Sequence, residues 1–225
     1  RFHSFRSFHL FRLRRLFCPM PDVFLNGAFI PRDQARISAL DASVQHAVGL
    51  FETMLGGLRP SGSSPDDAWV FRLGDHLARL KRSALDLGLT SSLVEDRLGD
   101  AILQAIARNA QDPAVIGPSH RVRIRLTITA GDLNMLAATA KSSPDPPILI
   151  VPQPATPYPA GMFERGVQVA IADDRANPLN SFEGHKTLNY WWRLRALQNA
   201  GAIQRARDAA RRARPRSARH PEQGP

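Results

Sequence analysis

The sequence predicts an α+β fold, because two amphipathic helices interrupt a series of short, strand-like segments. One helix is predicted over residues 73–89 and a second over residues 92–109, since apolar side chains recur in both at helical spacing. Residues 121–128 alternate between polar and apolar side chains, which is typical of a strand with one buried face. A chain of 225 residues can bury a sizeable core, as one large domain or two small ones.

The first strands are predicted ahead of the helices. Residues 23–31 favour a hairpin around Asn26-Gly27, a dipeptide that adopts the tight turns between antiparallel strands. Residues 43–55 lead into a further strand, and residues 69–71 are expected to pair with it after a loop rich in Gly, Pro, Ser and Asp. These segments and the two helices belong to a first domain that is predicted to span residues 20–151.

A second unit is predicted to follow that domain. Residues 148–151 are wholly apolar and indicate a strand that closes the first domain. Residues 152–161 are rich in proline, which is typical of a linker, and residues 166–172 are expected to open the second unit as a strand. Residues 162–200 are therefore interpreted as only the beginning of a second domain.

The two ends of the chain carry its net charge of +10. Residues 1–20 hold five arginines and no acidic side chain, and residues 201–225 hold seven arginines against two acidic side chains. The residues between them hold eighteen basic and eighteen acidic side chains and are neutral. We expect residues 1–19 to be a non-native or disordered extension before a start at Met20, and residues 201–225 to be a disordered basic tail with at most a frayed helix over residues 203–214.

Composition argues against several kinds of site. Cys18 is the single cysteine, which excludes an intrachain disulfide and a multi-cysteine zinc site. No apolar run approaches the roughly 18 residues of a membrane span, and the histidines show no metal-ligand spacing. Basic ends of low complexity bind polyanions without specificity, so the charge does not indicate a particular nucleic acid. We expect a cytoplasmic protein with no metal, no membrane partner and no specific nucleic-acid partner.

Residues 181–197 deliver one lysine, Lys186, from a turn of small residues to the start of a predicted amphipathic helix. The apolar face of that helix is expected to pack on a core and consists of Leu188, Trp191, Leu194 and Leu197. An ammonium group at a helix start, next to His185, is disfavoured by the helix dipole, so we expect a lowered pKa for Lys186. A neutral amine can attack a carbonyl carbon. Position alone favours the plainer alternative of a solvated lysine at a helix end, although the chain has only two other lysines, Lys81 and Lys141.

Six segments in one order resemble the class IV pyridoxal-phosphate enzymes, a family that includes branched-chain aminotransferases, D-amino-acid aminotransferases and aminodeoxychorismate lyases. The segments are Asn26-Gly27, Asp41, residues 49–53, residues 76–84, residues 125–131 and residues 186–190. The resemblance covers about residues 22–200 and is specific to the family but not to a substrate. It implies a two-domain α+β fold in which the N-terminal domain is complete and the second, cofactor-binding domain is incomplete.

The same resemblance implies roles for individual residues. Lys186 would bind pyridoxal 5'-phosphate through its amine and then move the proton of the substrate's α-carbon, and Arg79 would bind the cofactor phosphate. Phe51 and Tyr190 would line the substrate pocket. The implied partners are a small amino acid or aminodeoxychorismate and, as is common in the family, a second copy of the chain. From the residues alone, Arg79 has a plainer interpretation as the surface partner of Asp75, one turn earlier on the same helix.

Three departures from the family pattern bear on activity. Ala130 stands where members often have an arginine that meets a substrate carboxylate, and Val48 replaces a common acidic residue. After Asn199 the chain lacks the acidic motif whose glutamate pairs with the cofactor's pyridine nitrogen. We therefore expect a truncated member that is inactive or nearly so. Its intact parent is expected to transaminate a small amino acid or to catalyse the elimination that yields 4-aminobenzoate; polyanion binding through the basic termini is the non-enzymatic alternative.

Overall fold

A computed structural model of the protein describes residues 21–60, 62–116, 119–132, 146–172 and 177–213, with the backbone alone for residues 206–213. The described strands are β1 (Asp22–Leu25), β2 (Ala28–Pro31), β3 (Gly49–Leu58), β4 (Ala68–Val70), β5 (Arg121–Thr129) and β6 (Ile148–Pro154). The described helices are α1 (Ala42–His46), α2 (Leu73–Asp86), α3 (Glu95–Arg108), α4 (Ala160–Arg165) and α5 (Trp191–Ala213), with short 3-10 turns at Arg32–Gln34 and Pro65–Asp67.

The six strands form one antiparallel sheet in the order β2-β1-β6-β5-β3-β4. Its centre is the long pairing of β3 with β5, which runs from Gly49 opposite Thr129 to Gly57 opposite Arg121. Every second residue of β5 is fully buried in the core under α2 and α3, as the alternation in the sequence predicts; these residues are Val122, Ile124, Leu126 and Ile128. The α+β prediction is therefore confirmed.

The sheet has one covered face and one open face, and β3 contributes to both. Leu50 and Met54 belong to the buried core with residues of α2, so the even-numbered residues of β3 face the helices. Phe51 and Thr53 point the other way, because side chains alternate along a strand. This division decides which side chains can meet at the candidate site.

The predicted N-terminal hairpin is confirmed. Asn26 and Gly27 both have positive φ, at 51° and 90°, which is the conformation of a tight turn between antiparallel strands. β4 pairs with the end of β3 as predicted for residues 69–71. The two predicted helices are confirmed with shorter bounds, because α2 ends at Asp86, ahead of Gly88 with φ +65°, and α3 begins only at Glu95.

The structure differs from two expectations for the chain after residue 151. The division into domains with a linker over residues 152–161 stays a prediction, but not all of that segment is irregular, since β6 runs on to Pro154 and α4 begins at Ala160. Proline is tolerated there because β1 pairs only with Leu149 and Ile150, which leaves the end of β6 open on that side. The strand predicted over residues 166–172 does not form: this segment has no strand partner in the described part of the chain, and its apolar side chains are exposed.

The C-terminal helix also differs from its prediction. α5 begins at Trp191, five residues after Lys186, and its predicted core-facing residues Trp191 and Leu197 are 75% and 70% exposed. The helix continues to Ala213, through the first half of the tail predicted to be disordered, in keeping with the high helix propensity of alanine and arginine. The predictions for residues 1–19 and 214–225 lie outside the described residues. In the part of the chain that the structure describes, no helix has the length and apolarity needed to cross a membrane.

Candidate active site around Lys186

The backbone of β3 holds Lys186 in place. Phe51 N donates to the carbonyl oxygen of Lys186 at 3.0 Å, and Leu188 N donates to that of Gly49 at 3.0 Å, so Thr187 forms an isolated antiparallel bridge to β3. Glycine fits at position 49 between β5 and this segment, because a Cβ there would lie 2.6 Å from the backbone oxygen of Ile128 and 2.6 Å from Leu188 Cδ1. The sheet, rather than a helix start, therefore positions the lysine.

Three residues that the sequence analysis nominated separately come together here. The Nζ atom of Lys186 lies 4.2 Å from the centroid of the Phe51 ring and 5.7 Å from that of Tyr190. The two rings meet edge to face, with their centroids 5.4 Å apart. Phe51 is only 4% exposed, so the lysine amine rests on a buried aromatic wall.

Burial lowers the pKa of Lys186, because the ammonium form loses hydration beside these rings. Tyr190 and Glu52 oppose this effect, and the positive charges of Arg193 and Arg79 add to it. The predicted lowering of the Lys186 pKa is confirmed, but its predicted cause is wrong. α5 begins only at Trp191, so Lys186 does not lie at the start of the helix, and desolvation is the dominant influence. The alternative of a fully solvated lysine does not agree with its half-buried side chain.

Arg79 pairs with a buried carboxylate, that of Glu52, on the covered face of the sheet. Its Nε and Nη2 donate to the carboxylate of Glu52 at 2.7 and 2.6 Å, and His76 Nδ1 lies 2.9 Å from the same carboxylate. Glu52 is 1% exposed. Burial alone would raise the pKa of Glu52, but the hydrogen bonds and positive charges of Arg79 and His76 lower it overall.

The plainer interpretation, in which Arg79 pairs with Asp75 on the surface of the helix, is wrong. Asp75 pairs with Arg72 at 2.5 Å, on the exposed side of α2, and leaves Arg79 to Glu52. The Nη1 atom of Arg79 has no acceptor among the described residues, and the Arg79 side chain is 45% exposed. One edge of the guanidinium group is therefore oriented by Glu52, while the other is available to an anion.

Glu52, His76 and Arg125 are site residues that the sequence analysis missed. Glu52 could have been identified from the sequence, since a carboxylate at a core-facing position of a strand needs a buried partner. Arg125 could not, because its strand holds three arginines, and three arginines on one strand are usually interpreted as a solvated face. Pairing with Thr53 of β3 brings Arg125 to Phe51, whose ring centroid lies 3.8 Å from its guanidinium carbon.

The charge on Arg125 is not neutralised by any carboxylate of the described residues. Burial lowers the pKa of Arg125, as does the nearby charge of Arg123, while Tyr190 opposes both effects. Phe51 thus has two cations close to its ring, Arg125 and Lys186. An anion bound at this ring would meet both charges.

A cavity of about 420 Å³ adjoins this cluster and shares Tyr190 with it. It lies between the end of α2 and the loop before α5, with Leu89, Phe182, His185 and Trp192 among its lining residues. Neither Lys186 nor Phe51 lines it. We place the candidate site at Lys186, because its amine and the guanidinium group of Arg125 both lie at the Phe51 ring. No group of three metal-binding side chains occurs in the described segments.

Comparisons with known proteins agree on one family. A family model described as Amino-transferase class IV matches residues 49–208. A relative from Methanocaldococcus jannaschii, named "Putative branched-chain-amino-acid aminotransferase", is 27% identical over 169 residues, which are 75% of this chain and 51% of that protein. The chain therefore spans about half the length of the curated relative it matches.

Two solved structures share the fold. A branched-chain amino acid aminotransferase from Escherichia coli aligns with a TM-score of 0.61 at 21% identity, over 75% of this chain and 51% of that one. A 4-amino-4-deoxychorismate lyase from Pseudomonas aeruginosa aligns with a TM-score of 0.57 at 23% identity, over 78% of this chain and 56% of that one. At these identities the likeness concerns the fold alone.

Proposed function

Because the chain belongs to the class IV aminotransferase family, we propose that it uses pyridoxal 5'-phosphate to transfer the amino group of a small amino acid, with Lys186 as the catalytic residue. The observation that carries this proposal is the position of the Lys186 amine, half-buried over the Phe51 ring. When bound, the cofactor would supply an aldehyde and a ring that accepts the electron pair released at the substrate's α-carbon.

The residues around Lys186 suit a group with an aldehyde at one end and a phosphate at the other. A lowered pKa raises the neutral fraction of the lysine, and only the neutral amine attacks a carbonyl. Once free again, the same amine is a base that can hold the α-carbon proton. The accessible edge of Arg79 matches a phosphate, and its pairing with Glu52 keeps that edge in one orientation.

Arg125 is the cation that we assign to the substrate carboxylate. Ala130 offers no charge, whereas Arg125 lies at the same ring as Lys186 and has no carboxylate partner among the described residues. A carboxylate at Arg125 would place the rest of a small amino acid along Phe51 and Tyr190, which form an aromatic wall. Phe51 is 4% exposed, and a charge pairing beside its buried ring would be stronger than one in bulk water.

Covalent capture tests the proposal without requiring turnover. The purified chain is incubated with pyridoxal phosphate and reduced with borohydride, and the labelled peptides are identified by mass. We expect the label at Lys186. Lys81, which pairs with Glu95 at 3.1 Å on the surface, is the internal control. Equal labelling of Lys81, Lys141 and Lys186 would contradict the proposal.

The products identify the reaction within the family. Release of a 2-oxo acid from a small amino acid supports transamination, and release of 4-aminobenzoate from aminodeoxychorismate supports elimination instead. The low activity that the sequence analysis expects for this chain stays a prediction, as do the cytoplasmic location and the dimer. Activity assays of the chain alongside a full-length family member, as the positive control, test the first of these expectations.

A further inference from the structure

A hydrogen bond across 102 residues ties the segment of Lys186 to α2. His185 Nδ1 lies 3.0 Å from the hydroxyl oxygen of Ser83. Ser83 is 5% exposed and follows Arg79 by one turn on the same helix. A buried serine at this position contributes little apolar contact, so its evident partner is the imidazole.

This bond and the lysine amine involve different elements of the fold. α2 covers the face of the sheet that carries Glu52, whereas Phe51 belongs to the other face. Residues 185 and 186 are consecutive, yet His185 contacts Ser83 of α2 while the amine of Lys186 contacts the Phe51 ring. Holding His185 against α2 therefore turns Lys186 toward Phe51.

The other attachments of the segment leave this orientation open. The two backbone bonds to β3 involve the carbonyl of Lys186 and the amide of Leu188, both beyond the lysine Cα. Gly184 precedes His185 with φ +86°, a turn conformation that favours glycine, so the chain changes direction on that side. The amide of His185 donates to Phe182 O at 3.3 Å, but Phe182 belongs to the same loop and does not tie it to the sheet.

We propose that His185 and Ser83 are positioning residues for Lys186, and that their hydrogen bond holds the lysine amine over the Phe51 ring. α2 would then help to place two functional groups. It carries Arg79, which Glu52 orients, and it holds the segment of Lys186 through Ser83. This inference rests on the proposed function in that it gives Lys186 the catalytic role. The placement of the amine can be tested separately from that role.

The test measures the rate of acetylation of each lysine by acetic anhydride against pH, with the peptides quantified by mass. Ser83→Ala removes the hydroxyl group, and His185→Gln removes the hydrogen-bonding group at the Nδ1 position. In both variants Lys186 should swing into water, so its profile should move toward that of Lys81. Each unit by which the pKa rises lowers the neutral fraction, and with it the rate below the pKa, about tenfold.

Conservative variants separate positioning from a general loss of structure. His185→Asn places its amide where Nδ1 lies, and Ser83→Thr keeps the hydroxyl, so both should retain the wild-type profile. His46→Gln is the matched control, since His46 lines the same cavity as His185. The groups whose charges act on Lys186 stay in place in every variant: Glu52, Arg79, Tyr190 and Arg193, with Arg125 across the Phe51 ring.

Either of two results would overturn the inference. One is an unchanged Lys186 profile in Ser83→Ala and His185→Gln. The other is an equal shift in His185→Asn and His185→Gln, which would show that the imidazole acts by charge or bulk. Failure of the proposed function has a different signature, because wild-type Lys186 would then escape labelling by pyridoxal phosphate while the acetylation profiles still changed as expected.

Discussion

Phe51 and Glu52 are consecutive residues of one strand, yet they organise opposite kinds of environment. On the covered face, the charge of Glu52 is surrounded by Arg79 and His76 at hydrogen-bonding distance. On the other face, Phe51 carries Lys186 and Arg125 near its ring, with no carboxylate of the described residues at hydrogen-bonding distance from either. A buried carboxylate whose cationic partners are in place orients those partners and is costly to remove alone, whereas cations that lack a carboxylate partner are suited to bind an anion.

The largest effect should come from Lys186, on the face of the sheet that carries Phe51. Lys186→Ala removes the single half-buried amine at the Phe51 ring, so covalent capture of pyridoxal phosphate at this site should be lost completely. Lys81→Ala, on the surface of α2, should leave the labelling unchanged. Peptide mass analysis after borohydride reduction measures both. Undiminished labelling of the Lys186→Ala chain would show that the reactive amine lies elsewhere.

The next largest effect should come from Glu52 and its partners on the covered face of the sheet. Glu52→Ala leaves Arg79 and His76 without their shared carboxylate and should lower the free energy of unfolding by about 3 kcal/mol, at the lower end for a buried pair because Arg79 is partly in water. Asp75→Ala breaks the exposed Arg72 pair and should cost less than about 1 kcal/mol. Urea titration followed by circular dichroism compares the two. Similar losses of unfolding free energy in Glu52→Ala and Asp75→Ala would mean that burial of Glu52 does not strengthen its pairing.

A third variant pair asks whether the outer edge of Arg79 binds phosphate. Arg79→Ala should weaken retention of pyridoxal phosphate by about 1.5–3 kcal/mol, the range for a charge-assisted hydrogen bond. Arg82→Ala, which removes an exposed arginine of α2, should cost less than about 1 kcal/mol. Equilibrium dialysis at fixed ionic strength gives both values. Because Arg79→Ala also leaves Glu52 with His76 as its remaining partner, Arg79→Lys serves as a variant that keeps the charge. Equal losses at positions 79 and 82 would return Arg79 to a purely structural role.

The smallest effect is the dependence of stability on pH. The pKa of Glu52 is lowered in the folded protein, so its stabilising contribution is fully present above the ordinary glutamate pKa. That contribution is lost as the pH falls through the lowered value. The difference in unfolding free energy between the wild type and Glu52→Gln should therefore narrow at acid pH. A difference that stays constant down to acid unfolding would contradict the assignment of the shift to Glu52.

Much of the fold followed from local patterns. The alternation in residues 121–128, the Asn26-Gly27 turn and the spacing of apolar residues in α2 and α3 each need only a few neighbours, and each prediction holds. The strand predicted over residues 166–172 fails because a strand needs a partner, and a single segment does not reveal whether one exists. The apolar face predicted for α5 fails for a similar reason, since helical spacing indicates a face without specifying what covers it.

The amino-acid sequence by itself determined the α+β class and the resemblance to the family, and that resemblance implied the roles of Lys186, Arg79, Phe51 and Tyr190. Both depend on patterns and motifs of a few residues along the chain. Only the tertiary structure decided the partners. Glu52 reaches Arg79 across 27 residues, and Ser83 reaches His185 across 102. The pairing of β3 with β5 selects Arg125 from three arginines of one strand. Distances across a sheet depend on strand order and register, and neither is encoded in the spacing of residues along one segment.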